Sequence, residues 1–513
     1  MRASGSVGTP ASTAYDLIVI GSGAGGGTLA RALADTGARI LIVERGESVP
    51  SEPDNWNPEA VWKHLRYRTT ERWLDAQGRS FRPYTHYNVG GNTKFWGSVL
   101  YRLRREDFGE VAHLDGVSPA WPITYDDLAP YYEQAERLYH VHGEASQGPT
   151  DPPRGPYPYA PIPHAPNMSR LVEQLRGVGL HPTSLPLGLV DPGLPGGCVL
   201  CNTCNSFPCQ LRKKSDAETC AVRPALAAPT VELLTGTCAH RLITSADGRR
   251  VEAVEVERAG ERFTLRAPVI VVSCGAVNSA ALLLKSATDR HPDGLANSSG
   301  LVGRRYMAHL ATMMQGFHPT RVNHDVFQKT VAINDFYAAG THTPYPLGQI
   351  QSQGRTHGVM AQIVVPWIPL WAYDAWVARG VDWLVMSEDL PNVDNRVTVE
   401  RNGQIRLAYR PNNTRAHNEL VRRFTKILRR LGFWKVMAYS HQLRNTTHQC
   451  GTLVFGHDPT TSVLDPFCRT HDIDNLFVVD ASFFPSSAAV NPGLTIAAQA
   501  LRVAEHLRGA YFR

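Results

Sequence analysis

The chain has 513 residues, a net charge of +6, and a composition that is 43% hydrophobic and 19% charged. This length favours about two to four domains. Lysines and arginines are scattered without a dense basic block, which argues against a nucleic-acid partner. No run of about 18 apolar residues predicts a membrane span.

The N-terminal residues 1–15 are rich in Ser, Gly, Thr and Pro and lack the apolar core of a signal peptide. They predict a flexible tail. The nine cysteines are too few for a disulfide scaffold in a chain this long, and their odd number favours reduced thiols. Both observations predict a cytoplasmic location.

The stretch YDLIVIGSGAGGGTLARALADTGARILIVERG (15–46) is the most informative part of the sequence. Leu17 to Ile20 predict a buried strand, residues 27–36 a helix, and the following apolar run a second strand that ends at Glu44. Between strand and helix lies G-x-G-x-x-G, and the acidic residue follows at close to the spacing of about 20 residues found in dinucleotide-binding units.

Each residue of this motif has a physical reason. Gly21 permits a tight turn, Gly23 lets the backbone approach a pyrophosphate, and Gly26 lets the helix pack closely on the strand. Glu44 is expected to accept hydrogen bonds from ribose hydroxyls and to repel a 2′-phosphate, which disfavours NADP. A glycine-rich turn without a ligand is the alternative, and the motif alone does not choose between NAD and FAD.

Later segments extend this picture. The ranges 231–245, 268–279 and 475–485 are apolar strand runs suited to a continued doubly wound sheet. Residues 395–410 alternate apolar and polar side chains around Asn402–Gly403, which predicts a β-hairpin in a different, antiparallel sheet. Helices such as 414–432 are expected to cover that sheet.

Three stretches carry a family resemblance: YNVGGNTKFWGSVLYRLR (87–104), PVIVVSCGAVNSAALLLKS (268–286), and the C-terminal region from HQCGTLVFGHDP to NPGLTIAAQALRVAEHL. With the glycine motif they resemble the glucose–methanol–choline oxidoreductase family, over nearly the whole chain and most weakly over 311–400. The resemblance implies an α/β fold in which a Rossmann-like FAD-binding domain is interleaved with an α+β substrate domain built on an antiparallel sheet.

The implied FAD-binding domain comprises residues 16–310 and 455–513, with a Cys-rich loop at about 190–215, and the substrate domain comprises 311–454. Phe95 stands where some relatives carry a histidine that is covalently linked to the flavin, so we expect non-covalent FAD. The residues assigned to the cofactor are Gly21, Gly23, Gly26, Glu44, Arg45, Gly90, Gly91, Asn92, Thr93, Trp96, Gly97, Cys238, Ala239, Cys274, Gly275, Asn278, Asp480, Ala481, Pro492, Leu494 and Thr495.

Within that set, 88–97 matches the segment along the flavin ring and pyrophosphate, although core packing explains Trp96 equally well. Cys238 and Ala239 match the adenine position but would also pass as ordinary strand packing. Asp480 matches a ribityl or pyrophosphate position. Asn278, with the serine after it, resembles a helix cap.

The last helix is predicted with Asn491 as its N-cap and Pro492 as its first residue. An amphipathic helix of about four turns should follow, with Leu494, Ala497, Ala498 and Leu501 on one face. In the family its N-terminus points at the flavin's pyrimidine edge. The helix dipole and free N–H groups there would stabilise negative charge.

The family's catalytic base precedes a Gly-Thr pair, and its partner is a His or Asn at the start of the last helix. These positions are His448 and Asn491. Imidazole is a base that can be tuned near neutral pH, and an amide does not compete for the proton. A hydrogen-bonded structural histidine is the alternative. Cys450 lies beside His448, but the reaction does not call for a thiol, so Cys450→Ser should be mild.

Cys198, Cys201, Cys204 and Cys209 lie close together in sequence. Their spacing is compatible with zinc or an iron–sulfur cluster. The alternative, which we favour, is a Cys-rich loop over the flavin with free thiols or one disulfide and no metal. Iron analysis and a visible spectrum would decide between them.

The sequence therefore predicts an FAD-dependent oxidoreductase that converts an alcohol, most simply a sugar or polyol hydroxyl, to a carbonyl by hydride transfer. The expected electron acceptor is oxygen, a quinone or a redox protein. Alternatives are oxidation of a sterol, aryl or aliphatic alcohol, and an FAD-binding electron-transfer protein with an iron–sulfur cluster.

Overall fold

The computed structural model describes residues 15–146, 148, 150–340, 343–440 and 446–512. The predicted N-terminal tail lies outside these residues except for Tyr15. None of the helices within the described ranges is long and apolar enough to cross a membrane.

The strands, in chain order, are β1 (Leu17–Ile20), β2 (Ile40–Val43), β3 (Trp73–Leu74), β4 (Ser80–Phe81), β5 (Val111–His113), β6 (Gly116–Ser118), β7 (Val141–His142), β8 (Pro182–Ser184), β9 (Leu187–Gly188), β10 (Val231–Leu234), β11 (Thr237–Thr244), β12 (Val251–Arg258), β13 (Glu261–Leu265), β14 (Val269–Val272), β15 (Leu310–Phe317), β16 (Val331–Ile333), β17 (Gln349–Ser352), β18 (Gly380–Ser387), β19 (Arg396–Val399), β20 (Ile405–Ala408), β21 (Lys435–Ser440) and β22 (Leu476–Val478). The α-helices are α1 (Ala24–Leu33), α2 (Tyr125–Leu138), α3 (Pro166–Gly177), α4 (Arg223–Ala225), α5 (Ala276–Lys285), α6 (Gly358–Val364), α7 (Leu370–Val377), α8 (Thr414–Arg430) and α9 (Gly493–Tyr511).

A five-stranded parallel sheet in the order β10-β2-β1-β14-β22 forms the nucleotide-binding half. Its central strands are continuous apolar runs because both faces of the sheet are buried. The chain leaves β1 towards β2 and later returns to β14 on the other side. The carboxyl end of β1 is therefore a topological switch point, where open α/β sheets bind ligands. The predicted Rossmann-like architecture is confirmed.

One predicted member of this sheet lies elsewhere. The apolar range 231–245 divides at Gly236, whose φ is +61°. Its first half is β10 of the parallel sheet. Its second half, β11, pairs with β12 in a separate three-stranded antiparallel sheet. The expectation that the whole range continues the doubly wound sheet was wrong, because a left-handed turn redirects the chain.

The second large sheet is antiparallel and has the order β21-β15-β18-β17-β16-β8. Helices α8 and α3 cover one face of this sheet, and Trp383 and Phe424 are buried in the apolar cluster between them. An antiparallel sheet covered by a helix over 414–430 agrees with the prediction.

The hairpin β19–β20 forms as predicted, and Gly403 in its turn has φ +82°. It does not join the large sheet, however. It belongs to a four-stranded sheet with β3 and β4, and β20 pairs with β3. Its partner strands lie more than 300 residues earlier, so local alternation predicted the hairpin but not its sheet.

Strand pairing crosses the boundary between the predicted domains in two sheets, through the pairing of β3 with β20 and through β8. β8 pairs with β16 at the edge of the large antiparallel sheet, although it lies within the range 16–310. Helix α3 packs in the same apolar cluster as α8. The division at 310/311 stays a prediction, with β8 and α3 assigned by their packing to the substrate side.

Candidate active site

The glycine-rich turn between β1 and α1 is tightly packed except at one position. Gly21 has φ +104°, which a side chain rarely adopts. A Cβ atom on Gly25 would collide with the carbonyl oxygen of Val479, and one on Gly26 with the carbonyl oxygen of Gly21. A Cβ atom on Gly23 would meet nothing within 4 Å. The open side of the turn is therefore at Gly23, where a pyrophosphate was expected. The requirement for glycine at position 25 was missed.

Glu44 and the glycine pair of the second motif meet at Ser22. One carboxylate oxygen of Glu44 accepts from the Ser22 NH at 3.1 Å and from its hydroxyl at 2.6 Å. The same hydroxyl accepts from the Gly90 NH at 3.0 Å. Burial raises the pKa of Glu44. Ser22, which the sequence did not single out, thus joins the predicted ribose-binding carboxylate to the predicted flavin-binding segment.

The segment 88–97 lies directly against the glycine-rich turn. Gly90 and Gly91 both have positive φ, +88° and +55°. A Cβ atom on Gly91 would have the Cα of Gly23 as its nearest neighbour, at 3.6 Å. The side chains of Asn92 and Thr93 bind the protein, accepting from the NH groups of His86 and Ala217 at 2.9 Å each. These two side chains stabilise the loop, so the loop offers a ligand mainly its backbone.

Trp96 and Gly97 follow on the same segment. The Trp96 ring packs on the start of α9, where a Cβ atom on Gly493 would lie 2.5 Å from its Cζ3 atom. The buried Nε1–H of Trp96 has no hydrogen-bond partner among the described residues. A Cβ atom on Gly97 would overlap the Nζ atom of Lys329. Trp96 and Gly97 of the nucleotide-binding half therefore form a wall that contacts a lysine of the substrate half.

Four of the residues assigned to the cofactor, including the two predicted at the adenine, gather around Tyr87. The Arg45 guanidinium lies 3.7 Å from the centre of the Tyr87 ring. The Tyr87 hydroxyl is 3.5 Å from Oδ1 of Asn278. Cys238 lies within electrostatic reach of Arg45, and its thiol donates to the carbonyl of Ala239 at 3.7 Å. The structure therefore brings these five residues to one place beside Glu44.

Asn278 does not cap α5. The cap residue is Gly275, with φ +86°, and the helix begins at Ala276, which places Asn278 inside its first turn. The expected cap was wrong because glycine takes the left-handed conformation needed at this turn. Ser279 has another role, since its hydroxyl donates to Asp480.

Asp480 organises the turn after β22. One carboxylate oxygen accepts from the Gly275 NH at 2.9 Å, and the other accepts from the NH and hydroxyl of Ser482 at 2.9 and 2.6 Å. Burial raises its pKa. The Cys274 thiol donates to the carbonyl of Ile20 at 3.4 Å. Ala481 follows Asp480, and its carbonyl accepts from the NH of Gly451 at 3.1 Å.

The start of α9 differs from the prediction. The helix begins at Gly493, one residue after Pro492, and no side chain caps it. Asn491 is therefore not its N-cap, because Pro492 occupies the cap position. The amide oxygen of Asn491 is buried and lacks a hydrogen-bond partner in the described part of the chain. Leu494 is fully buried, and the hydroxyl of Thr495 lies 2.8 Å from that of Tyr132.

His448 contacts a second histidine that the sequence reasoning missed. Its Nδ1 lies 2.9 Å from Nδ1 of His309, and Nε2 of His309 lies 3.0 Å from the carbonyl oxygen of Ser487. His309 thereby links His448 to the loop that leads into Asn491. No local pattern marks His309, which stands immediately before β15 and meets its partners only through the fold.

The protonation of this pair follows from its acceptors. A carbonyl only accepts, so Nε2 of His309 carries a hydrogen. Burial lowers the pKa of His309, and Nδ1 of the neutral ring is then an acceptor. His448 must donate through Nδ1, which leaves its Nε2 unprotonated. Burial, followed by the charges of His309 and Lys329, lowers the pKa of His448 to about 3. The arrangement presents a neutral imidazole with a free lone pair.

Cys450 is a core residue. It forms an isolated bridge with Met307, its thiol donates to the Met307 carbonyl at 3.7 Å, and burial raises its pKa well above the usual value. It is therefore a protonated thiol that faces the core, separate from the histidine pair. Of the nearby histidines, His457 binds the carbonyl of Pro122 at 3.1 Å, and His441 lies outside the described residues.

The Cys-rich loop lies over the segment 95–97. Lys214 donates to the carbonyls of Trp96, Cys204 and Phe207 at 2.9, 3.1 and 2.6 Å. The cysteines of the loop are all free thiols: Cys198, Cys201, Cys204 and Cys209. Among the described residues, no three His, Cys, Asp or Glu side chains form a group that could hold a metal ion.

Comparisons with known proteins identify the family to which the chain belongs. Two family profiles, each described as GMC oxidoreductase, match residues 15–311 and 391–500. The chain is 32% identical to the 6‴-hydroxyparomomycin C oxidase of Streptomyces lividus, over 96% of this chain and 92% of that protein. It is 26% identical to the fructose dehydrogenase large subunit of Gluconobacter japonicus, over 96% and 97%.

A solved structure, that of pyridoxine 4-oxidase from Mesorbium loti, superposes with a TM-score of 0.68 at 20% sequence identity. The match covers 96% of this chain and 99% of that one, and it shows a shared fold. Family profiles, relatives and fold all agree with the resemblance that the motifs indicated. The chain belongs to the GMC oxidoreductase family, whose members bind FAD.

Proposed function

We propose that the protein binds FAD non-covalently and oxidises a sugar or polyol hydroxyl to a carbonyl, with His448 as the base and Asn491 as the partner that holds the reacting oxygen. The observation that carries the proposal is the His309–His448 hydrogen bond, which leaves Nε2 of His448 free to accept a proton. A neutral imidazole in that state has the free lone pair that a general base needs.

The described residues fit FAD. The glycine-rich turn is open only at Gly23, and the backbone of Gly91 lies beside it. Glu44 offers a buried carboxylate to ribose hydroxyls. The unpartnered Nε1–H of Trp96 and amide oxygen of Asn491 are buried polar groups that a ligand would satisfy. Bound FAD supplies the hydride acceptor.

The chain's own residues perform the proton chemistry. His448 accepts the hydroxyl proton at Nε2, and the proton stays there while the oxygen develops its carbonyl character. Asn491 is neutral at every pH of interest, so its amide positions the oxygen without removing the proton. The N-terminus of α9 presents free N–H groups where negative charge would develop.

The sugar or polyol assignment has two supports. Relatives of the chain include a fructose dehydrogenase large subunit and a 2-methyl-1,2-propanediol dehydrogenase. The amide of Gln351 on β17 lies on the face of the large sheet away from α8, because its neighbour Ile350 packs in the apolar cluster under that helix. A panel of sugars, polyols, and sterol, aryl and aliphatic alcohols, tested with an artificial electron acceptor beside an oxygen electrode, measures substrate and acceptor together. Oxidation of sterols or aryl alcohols alone would contradict the assignment.

Acid precipitation of the purified yellow protein should release all of the flavin into the supernatant, because Phe95 offers no nucleophile at the position of covalent attachment. The protein band on a denaturing gel should show no flavin fluorescence. Flavin that stays with the precipitated protein would contradict non-covalent binding.

His309 should act as a positioning residue for His448. His309→Leu removes the acceptor for the Nδ1–H of His448, and we expect kcat/KM to fall by about 10- to 100-fold. The electrostatic effect of His309 lowers the pKa of His448. Removing it should therefore move the acid limb of the kcat/KM–pH profile to higher pH.

His309→Asn is the matched control, because its Oδ1 can replace the Nδ1 acceptor, and it should restore most of the lost activity. Equal losses in both variants with an unchanged pH profile would assign His309 a purely structural role.

A further inference from the structure

Lys329 differs from the other fully buried lysines. Lys94 lies within ion-pair distance of Asp216 and Glu218, at 3.0 and 2.7 Å. Lys214 donates to three main-chain carbonyls. Lys329 is only 2% exposed, yet its ammonium group forms no ion pair with any described carboxylate. Two lysines thus have their donors used by the protein, whereas the third has donors left over.

The head group of Lys329 lies at the wall of the candidate active site. Its Nζ donates to Oδ1 of Asn205 at 2.8 Å and packs on the backbone of Gly97, directly after Trp96. Its charge acts on His448 strongly enough to lower the pKa of that imidazole. Burial lowers the pKa of Lys329 itself to about 7. The amine therefore lies between the Cys-rich loop, the segment 88–97 and the proposed base.

Unpartnered amides accompany this amine. Gln328, the neighbour of Lys329, is fully buried, and neither its amide oxygen nor its nitrogen has a hydrogen-bond partner within the described ranges. The same is true of Gln351, which is 1% exposed. Burying such groups unpaired costs free energy, so buried amides normally have partners. Gln351 precedes Ser352, whose hydroxyl accepts from the NH groups of Thr330 and Val331, so the two chain segments that carry the amides are neighbours. A ligand would supply the missing hydrogen-bond partners of both amides.

Strand alternation places Gln351 on the same face of the sheet as His309. Ile350 belongs to the apolar cluster beneath α8 and α3, so Gln351 of β17 points to the opposite face. On β15, Thr312 contacts His417 of α8. His309 lies three positions before Thr312, so alternation places the His309 side chain on the opposite face of the sheet, away from α8. The histidine that positions the proposed base and the orphaned glutamine therefore share one face.

We propose that Lys329, Gln328 and Gln351 bind the non-reacting hydroxyl groups of a neutral polyhydroxy substrate and that Lys329 disfavours substrates carrying an amine at that position. The inference rests on the proposed alcohol oxidation and names what selects its substrate. A hydroxyl group can both donate and accept a hydrogen bond. It can therefore pair with the unpartnered nitrogen and oxygen of the two glutamine amides and accept from the Lys329 amine. An ammonium group on the substrate would be repelled by the protonated form of Lys329.

The test uses FAD-loaded wild type, Lys329→Met, Gln351→Leu and the control Lys426→Met, which replaces an exposed lysine of α8. The probes are sorbitol, fructose, glucose, glucosamine, gluconate and 1-hexanol. The reduction of the flavin by each probe is measured anaerobically by stopped-flow absorbance. For the preferred polyol, Lys329→Met and Gln351→Leu should raise the apparent Kd by about 10- to 100-fold. Their limiting reduction rates should stay within about threefold. The control should match wild type.

Selectivity provides the second readout. Lys329→Met should raise the apparent Kd of the polyols more than that of 1-hexanol and should reduce the ratio of the glucosamine Kd to the glucose Kd. The affinity of the flavin for sulfite should not change in Gln351→Leu, because sulfite reports charge beside the flavin ring and this substitution removes no charge. Uniform losses for every alcohol with weaker sulfite binding would assign Lys329 to the flavin and overturn the inference. A strong wild-type preference for gluconate would overturn the neutral-substrate assignment.

Failure of the underlying function has a different signature. A wild-type protein that reduces its flavin with 1-hexanol but with none of the polyols would refute the recognition of hydroxyls while alcohol oxidation stands. A wild-type protein that binds FAD and is reduced by no alcohol would refute the proposed function itself.

Discussion

Replacing His448 with alanine is expected to lower kcat/KM for the best alcohol by about 10²- to 10⁴-fold, the usual contribution of a positioned general base. The imidazole is already neutral, because burial and nearby charge lower its pKa to about 3. Its Nδ1–H is held by His309. Alanine removes both the free lone pair and the hydrogen bond that directs it.

The flavin content of His448→Ala should equal that of wild type, because the histidine pair is separate from the glycine-rich turn. Visible absorbance per protein measures this. Cys450→Ser is the matched control two residues away, and it should keep activity within a few-fold, because the thiol faces the core and donates only to Met307. Full activity in His448→Ala, or loss of flavin with it, would contradict the assigned role.

Gly25→Ala should give the largest effect on assembly of the holoenzyme. A Cβ atom there collides with the carbonyl oxygen of Val479, a main-chain atom at the end of β22 that cannot rotate away. Overpacking against side chains costs about 1–3 kcal/mol and against fixed backbone more. We expect a protein with little bound FAD and a Tm lowered by at least about 2 °C.

Gly23→Ala separates folding from cofactor binding. Its Cβ meets nothing within 4 Å, so the apoprotein should keep its Tm. The added methyl group would occupy the open side of the turn, and FAD affinity should fall. Thermal melts of apo and FAD-loaded protein measure both effects. A Gly25→Ala protein with wild-type flavin content, or a Gly23→Ala apoprotein with a lowered Tm, would contradict this account.

The predictable parts of the fold were those with local causes. The apolar runs at Leu17–Ile20 and Ile40–Val43 form buried parallel strands because both faces of the sheet are covered. The Asn402–Gly403 turn forms its hairpin because glycine tolerates the required φ. The partner sheet of that hairpin depends on β3 and β4, which lie far away in the sequence, and alternation says nothing about such pairing.

The site followed the same rule. The sequence predicted the glycine motif, Glu44 and the segment 88–97 because each belongs to a local sequence pattern. Three residues were missed because their partners are distant in the chain: Ser22, His309 and Lys329. His309, for example, contacts His448 across 139 positions. Asn491 was assigned a capping role from its residue type and a catalytic role from the resemblance; the structure places Pro492 at the cap and leaves the amide oxygen of Asn491 without a partner among the described residues.

The central claim is tested most directly by mixing FAD-loaded protein anaerobically with each alcohol of the panel and following the flavin's visible absorbance. The account predicts rapid bleaching by at least one sugar or polyol in wild type, and bleaching slowed by about 10²- to 10⁴-fold in His448→Ala. A flavin that stays oxidised with every alcohol, in a protein that has bound its full complement of FAD, would contradict it.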